Sequence, residues 1–187
     1  MKKQSLKDFD PDIIAELDLK MWRAYYERKF LKLFILLFRL NQQFFRFNYL
    51  STLKATYYSA SATIDFRLNR GKENHKRITR KLTRFFKIIS DNSIEEFDYK
   101  KAAELELNWW LVDRYPDRYT TSREGALAMA MANLFGVEPS KLSEFGNYGA
   151  QAMVLRDEAR SEGKEFDWNA MGSLLNKSFN SLHKNIR

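Results

Sequence analysis

The chain has 187 residues, of which 44% are apolar and 15% aromatic, no cysteine and a formal net charge of +8. That length and composition supply one substantial core. The lack of cysteine excludes disulfides, thiolate catalysis, Cys-ligated zinc and iron–sulfur clusters, and leaves the redox compartment undecided.

The opening MKKQSLKDFD runs from basic residues into charge, with no apolar stretch behind them, so it is not a secretory signal and a cytoplasmic location is expected. Residues 1–9 read as a flexible N-terminus, 10–163 as a helical bundle and 164–187 as a C-terminal amphipathic helix that either packs on the bundle or mediates dimerisation. Residues 1–115 contain one glycine, Gly71, and one proline, Pro11. Nothing in that half breaks long helices repeatedly, which predicts an all-α fold, a single-domain bundle of six to seven helices.

Asp10 before Pro11 predicts an N-cap with proline in the first turn, opening a helix that runs to about Phe45. Its apolar residues between Met21 and Phe38 cover nearly the whole circumference, the pattern of a helix surrounded by others. The run Phe30 to Leu40 is interrupted by Lys32 and Arg39 and is about half the roughly 20 residues a spanning helix needs. Asn48 caps a second predicted helix reaching Leu68, followed by a turn at 69–72. A third carries a basic cluster, and Asp98 caps a fourth ending near Arg114. After the loop YPDRYTT, Ser122 caps a fifth that stops at Gly136. Pro139 lies near the start of a sixth ending at Gly163, in which Gly146, Gly149, Ala150 and Ala152 leave room for a close neighbour. Trp168, Met171, Leu175, Phe179, Leu182 and Ile186 step by three and four and predict the last helix.

Residues 67–87 hold nine Lys/Arg and one acid, a local charge of +8 that equals the charge of the whole chain. Ile78, Leu82, Phe85 and Ile89 form a dry stripe opposite Lys76, Arg80, Arg84 and Lys87. The plain reading is a solvated surface helix. The functional one is a surface of Lys76, Arg77, Arg80, Lys81, Arg84 and Lys87 for phosphates of nucleic acid or anionic lipid, positioning a partner with weak sequence specificity.

The stretch Met131 to Phe145 places Ala132, Gly136, Val137, Leu142 and Phe145 at spacings that resemble the helix-turn-helix of bacterial repressors. The resemblance implies that Pro139, Ser140, Lys141, Ser143 and Glu144 face bases. From Arg123 to Tyr148 there are two basic and three acidic residues, so the competing reading is a helical hairpin with Gly136 as its C-cap.

The segment AAELELNWWLVDR carries the strongest candidate site. Apolar side chains point in three directions around this helix, and only Lys101, Glu104 and Asn108 form an obvious wet strip. Glu106 and Asp113 are therefore expected to point inward between Trp109 and Trp110. Buried carboxylates need hydrogen bonds or cations, and Tyr25, Tyr26, Arg114 and Arg156 are the expected partners. One reading is a satisfied polar network that fixes helix register. The other is an aromatic-walled pocket whose acids bind a cationic or hydroxylated small molecule, with Tyr115, Arg118 and Tyr119 as its rim.

Neither His75 nor His183 has a glutamate three residues before it, so the Glu-x-x-His pairs of di-iron bundles are missing. No nucleophile-elbow, phosphate-loop or dinucleotide fingerprint occurs. No metal site, cofactor or catalytic residue is assigned, and whether the chain is an enzyme stays open. The segments MWRAYYERKFLKLFILL, ELELNWWLVDR and QAMVLRD resemble a group of small all-helical bacterial proteins. That resemblance implies an all-helical fold and transfers no activity. The leading expectation is a binding protein with an aromatic, carboxylate-bearing pocket; the alternatives are a nucleic-acid-associated protein and a structural or oligomerisation protein.

Overall fold

The computed structural model describes residues 3–187. Eight α-helices pack together: α1 (Pro11–Tyr26), α2 (Phe30–Phe45), α3 (Tyr49–Leu68), α4 (His75–Asn92), α5 (Tyr99–Arg114), α6 (Arg123–Phe135), α7 (Ser143–Ser161) and α8 (Trp168–Asn185). Short 3-10 turns at Pro116–Arg118 and Pro139–Leu142 precede α6 and α7. Among the described residues there is no strand, only an isolated bridge between Gln4 and Ser93. Each helix packs on the next in sequence and α8 returns to α1, so the chain closes on itself. No helix is long and apolar enough to cross a membrane among the residues described.

The helix starts are set by side-chain caps. Asp10 accepts from the backbone N–H groups of Asp12 and Ile13, Asn48 from Ser51, Asp98 from Lys100 and Lys101, and Ser122 from Gly125. Each bond satisfies a donor that the first turn leaves without an intrahelical partner. Asn74 and Asp167 do the same for α4 and α8.

The single helix expected over residues 10–45 is two helices, which raises the number from six or seven to eight. The break falls at Glu27–Lys29, where Arg28 takes a left-handed conformation with φ 59°. Lys29 N–H bonds back to the Ala24 carbonyl, closing the end of α1 in the manner of a Schellman cap. Glu27 lies between Lys29 at 2.7 Å and Arg23 at 2.8 Å, and those two cations hold its carboxyl down at about 2. The apolar residues that cover the circumference thus belong to two helices. α1 packs on α2 and α8, and α2 packs on α1 and α3.

The segment expected as a flexible N-terminus is anchored from residue 4 onward; residues 1 and 2 lie outside the described residues. Gln4 exchanges backbone hydrogen bonds with Asn92 and Ile94, and Glu95 accepts from Ser5 Oγ and Leu6 N–H. Leu6 and Phe9 are buried, with the Phe9 ring edge-on to Phe44 at 4.7 Å. The main core runs from there through Phe45, Ile78, Phe85, Ile89, Leu107, Phe135, Leu142, Phe145 and Leu182 to Ile186. α8 packs its apolar stripe, including Met171, Leu175 and Leu182, against α1 and α7. Gly146 and Gly149 admit α6: a Cβ at Gly146 would collide with the Glu124 carbonyl, and one at Gly149 would lie 3.0 Å from Leu127.

Candidate functional site

α5 buries Ala102, Ala103, Leu107, Leu111 and Val112 while Glu106, Trp109, Trp110 and Asp113 stay half-buried. Glu106 Oε1 accepts from Trp110 Nε1 at 3.0 Å, one helical turn on, and the Trp109 indole also bonds this carboxylate. α1 brings a second unit of the same kind. The Asp18 carboxylate is hydrogen-bonded to Trp22, again one turn on. The two carboxylates are close enough that the charge on Glu106 disfavours ionisation of Asp18.

Burial pushes both carboxyls up to about 7, against the lowering effect of the indole bonds. Both residues, and Trp22, Trp109 and Trp110 around them, nonetheless retain partial exposure. Among the described residues neither Asp18 nor Glu106 has an ion-pair partner. Two acids thus lie within electrostatic reach of each other beside three indoles, with no ion pair among the described residues to balance them.

Seven residues along α5, Asp113 is fully matched. Arg156 of α7 grips it with both terminal nitrogens, at 2.8 and 3.0 Å, and bonds Asp157 through Nε at 2.9 Å. Arg123 of α6 adds Nε at 3.2 Å from Asp113 Oδ1, at ion-pair distance but outside hydrogen-bond geometry, and Nη2 on Asp157 and on the Asp113 carbonyl. Burial alone would lower the Arg156 pKa, but the bidentate bond to Asp113 outweighs it and holds the guanidinium above its ordinary value. The Arg156 guanidinium also lies 5.8 Å from the centre of the Trp22 ring. Tyr26 belongs to the same end: burial raises its phenol, with Arg156 opposing and Asp113 adding to the shift.

The structure thus brings together Tyr26, Glu106, Trp109, Trp110, Asp113 and Arg156, and puts Tyr25 and Arg114 elsewhere. Tyr25 lies under Arg67 of α3, 4.2 Å from its guanidinium. Arg114 stacks on Phe66 at 3.4 Å and pairs with Glu73 at 2.8 Å. Burial works to raise Glu73, but hydrogen bonds from Tyr115 and Arg114 prevail and hold it at about 2. Tyr115 donates to Glu73 and Arg118 stacks on Tyr115, so these two serve a structural corner and not a pocket rim. Asp18 and Trp22 were missed from sequence. Their signal was available as an acid four residues before a tryptophan, the spacing of Glu106 and Trp110.

The basic face of α4 is less free than its sequence suggests. Asp65 of α3 pairs with Arg77 at 2.8 Å and Lys81 at 2.7 Å, and Lys87 pairs with Asp91 at 2.9 Å. Arg84 lies over the Tyr58 ring. Lys76 and Arg80 remain exposed, with no ion pair among the described residues. In the stretch resembling a helix-turn-helix, Pro139, Ser140, Lys141, Ser143 and Glu144 are exposed, and Glu144 accepts from Ser181 of α8.

Comparison with protein-family models, with curated proteins and with solved structures found no match. Two open surface grooves lie elsewhere, around His183 and Arg187 at the end of α8, and are lined by solvated side chains such as Lys177 and Lys184. One of them is lined by two acids, Asp8 and Asp10, but these are exposed and lie beside Arg46 and Arg187. Among the described residues no three His, Asp or Glu side chains are grouped to hold a metal ion.

Proposed function

We propose that this protein binds a small organic cation in the recess between α1 and α5, with Asp18 and Glu106 as counter-charges and Trp22, Trp109 and Trp110 as walls. The observation that carries this reading is the pair of half-buried carboxylates that have indole N–H partners and, among the described residues, no ion pair. An ammonium or guanidinium group would balance their charge and lie against aromatic faces, which attract cations by about 0.5–2 kcal/mol. Binding would ionise the acids and release protons, so affinity should rise from pH 6 to pH 8. The Arg156–Asp113 grip closes the far end of the recess and gives an elongated ligand a polar terminus.

Three of the four tryptophans line the recess, which makes their fluorescence a direct reporter. The test is a titration of wild type, Asp18→Asn and Glu106→Gln with alkylamines, polyamines and quaternary ammonium compounds, each beside a neutral isostere. A saturable signal for a cation, absent for its isostere and lost in both variants, is the expected result. A wild-type protein that responds to no cation, or variants that respond like wild type, would sink the proposal.

The α4 surface carries the second reading, nucleic-acid association without sequence selectivity. It rests on Lys76 and Arg80, since Asp65 and Asp91 already offset three of the six cations singled out on this helix.

A further inference from the structure

Between Glu27 and Asp65 the sequence contains no acid, while it contains Arg28, Lys29, Lys32, Arg39, Arg46 and Lys54. The same stretch and the end of α3 hold nine of the twelve large apolar side chains that are exposed among the described residues. Soluble surfaces scatter such side chains singly, and a contiguous set marks an interaction face.

The set is contiguous here. At 100° per residue, Leu50, Leu53, Tyr57, Ile64 and Leu68 fall within about 60° of one another along the whole outer side of α3. α2 runs antiparallel beside it, held by the buried hydrogen bond from Asn41 to Thr56 and by Arg67 lying over Phe30. Leu31 and Ile35 extend the apolar strip onto α2, and Phe38 joins it to Tyr49 with ring centroids 5.3 Å apart. Leu31 is 77% exposed, Leu50 68% and Leu68 70%. On the other side of α3 lies α4, whose Lys76 and Arg80 are exposed. The footprint is a leucine-rich centre between two cationic borders.

We propose that the α2–α3 face docks on the surface of a bilayer containing anionic phospholipid. The apolar strip enters the boundary between headgroups and acyl chains, and Lys32, Arg39, Lys54, Lys76 and Arg80 meet lipid phosphates, each adding an attraction that salt weakens. No helix among the described residues is long and apolar enough to span, so the proposed contact is with one leaflet. Charge decides against a second copy of this chain as the occupant. A two-fold interface would set Lys32, Arg39 and Lys54 against their own equivalents with no acid from α2 or from α3 before Asp65 to separate them. The apolar strip decides against nucleic acid, whose phosphates would leave the exposed leucines unused.

The experiment is vesicle co-sedimentation at low and high salt, with vesicles of phosphatidylcholine alone or with about one third phosphatidylglycerol. The proteins are wild type, Leu31→Ser/Leu50→Ser/Leu68→Ser and Lys32→Gln/Arg39→Gln/Lys54→Gln. All six side chains are exposed, and circular dichroism checks that each variant keeps its helices. Wild type is expected to bind the anionic vesicles about tenfold more tightly than the neutral ones at low salt, and each variant to lose about tenfold. Absence of wild-type binding at low salt, equal binding to both vesicle types, or unchanged binding by both variants would overturn the proposal. So would a wild-type dimer in light scattering that the serine variant dissociates and that does not bind vesicles.

Discussion

Arg156 of α7 holds Asp113 of α5 through two hydrogen bonds, and both side chains are largely buried, at 7% and 18% exposure. This grip joins two helices that are not neighbours in sequence, one of them the helix that carries Glu106. Its energetics are asymmetric. Removing both charges together is often harmless, whereas removing one leaves the other stranded in a poorly solvated place.

Arg156→Met should therefore destabilise the protein, though by less than the roughly 3–5 kcal/mol of a fully stranded charge, because Arg123 stays 3.2 Å from Asp113. Adding Asp113→Asn to it should recover much of that loss. Urea unfolding monitored by circular dichroism measures both, and a single variant within about 0.5 kcal/mol of wild type would show that the pair is solvated in solution.

The raised carboxyls make stability fall as pH rises. Asp18 and Glu106 hold protons in the folded state up to about 7, whereas in the unfolded chain they release them near pH 4. Between those values the native state binds more protons than the unfolded state. Their contribution is thus fully present below about pH 4 and is lost as pH climbs through 7, by at most roughly 4 kcal/mol for Asp18 and roughly 3 kcal/mol for Glu106, less what solvent screening removes at these half-buried groups. Glu106→Gln, permanently neutral, should gain stability relative to wild type between pH 5 and pH 8. Melting temperatures at the two pH values check this, and a gain in the opposite direction would show that Glu106 is ionised at low cost.

Gly146→Ala should cost about 1–3 kcal/mol, because the added methyl meets the Glu124 backbone, which cannot move aside without shifting α6. Gly172→Ala provides the comparison. There the added Cβ would lie 2.8 Å from Leu19 Cδ2, the end of a flexible side chain. Thermal denaturation should rank Gly146→Ala well below Gly172→Ala.

Asp65→Asn should uncover the α4 surface by releasing Arg77 and Lys81. Retention of labelled duplex DNA at low salt, followed by fluorescence anisotropy, should increase in this variant. It should fall with salt more steeply than for wild type, since each added phosphate contact steepens that dependence by about one unit. Unchanged binding would confine α4 to a solvated role.

Much of the fold was legible in local signals. Asp10, Asn48, Asp98 and Ser122 cap the helices whose starts they predict, and Gly136, with φ 64°, ends α6 in the left-handed conformation glycine favours. The break between α1 and α2 was not legible, because Arg28 occupies the left-handed position where glycine or asparagine is the usual sign. Only the backbone bond to Ala24 and the ion pairs of Glu27 favour it. The need of Glu106 and Asp113 for polar partners was legible, since acids on an otherwise apolar helix demand them, and Trp110 and Arg156 meet it. Arg114 was misjudged because Phe66 and Glu73, far away in sequence, compete for it more closely.

The sequence by itself determined an all-helical chain, the helix starts and the presence of acids that must face inward. These follow from periodicity and from capping, which act within about four residues. The tertiary structure decided that Asp18 meets Glu106, that Asp65 neutralises part of the basic helix and that α2 and α3 leave an acid-free apolar face outward. Those outcomes depend on which helix faces come together, and charge and desolvation act across space between residues that no local pattern relates.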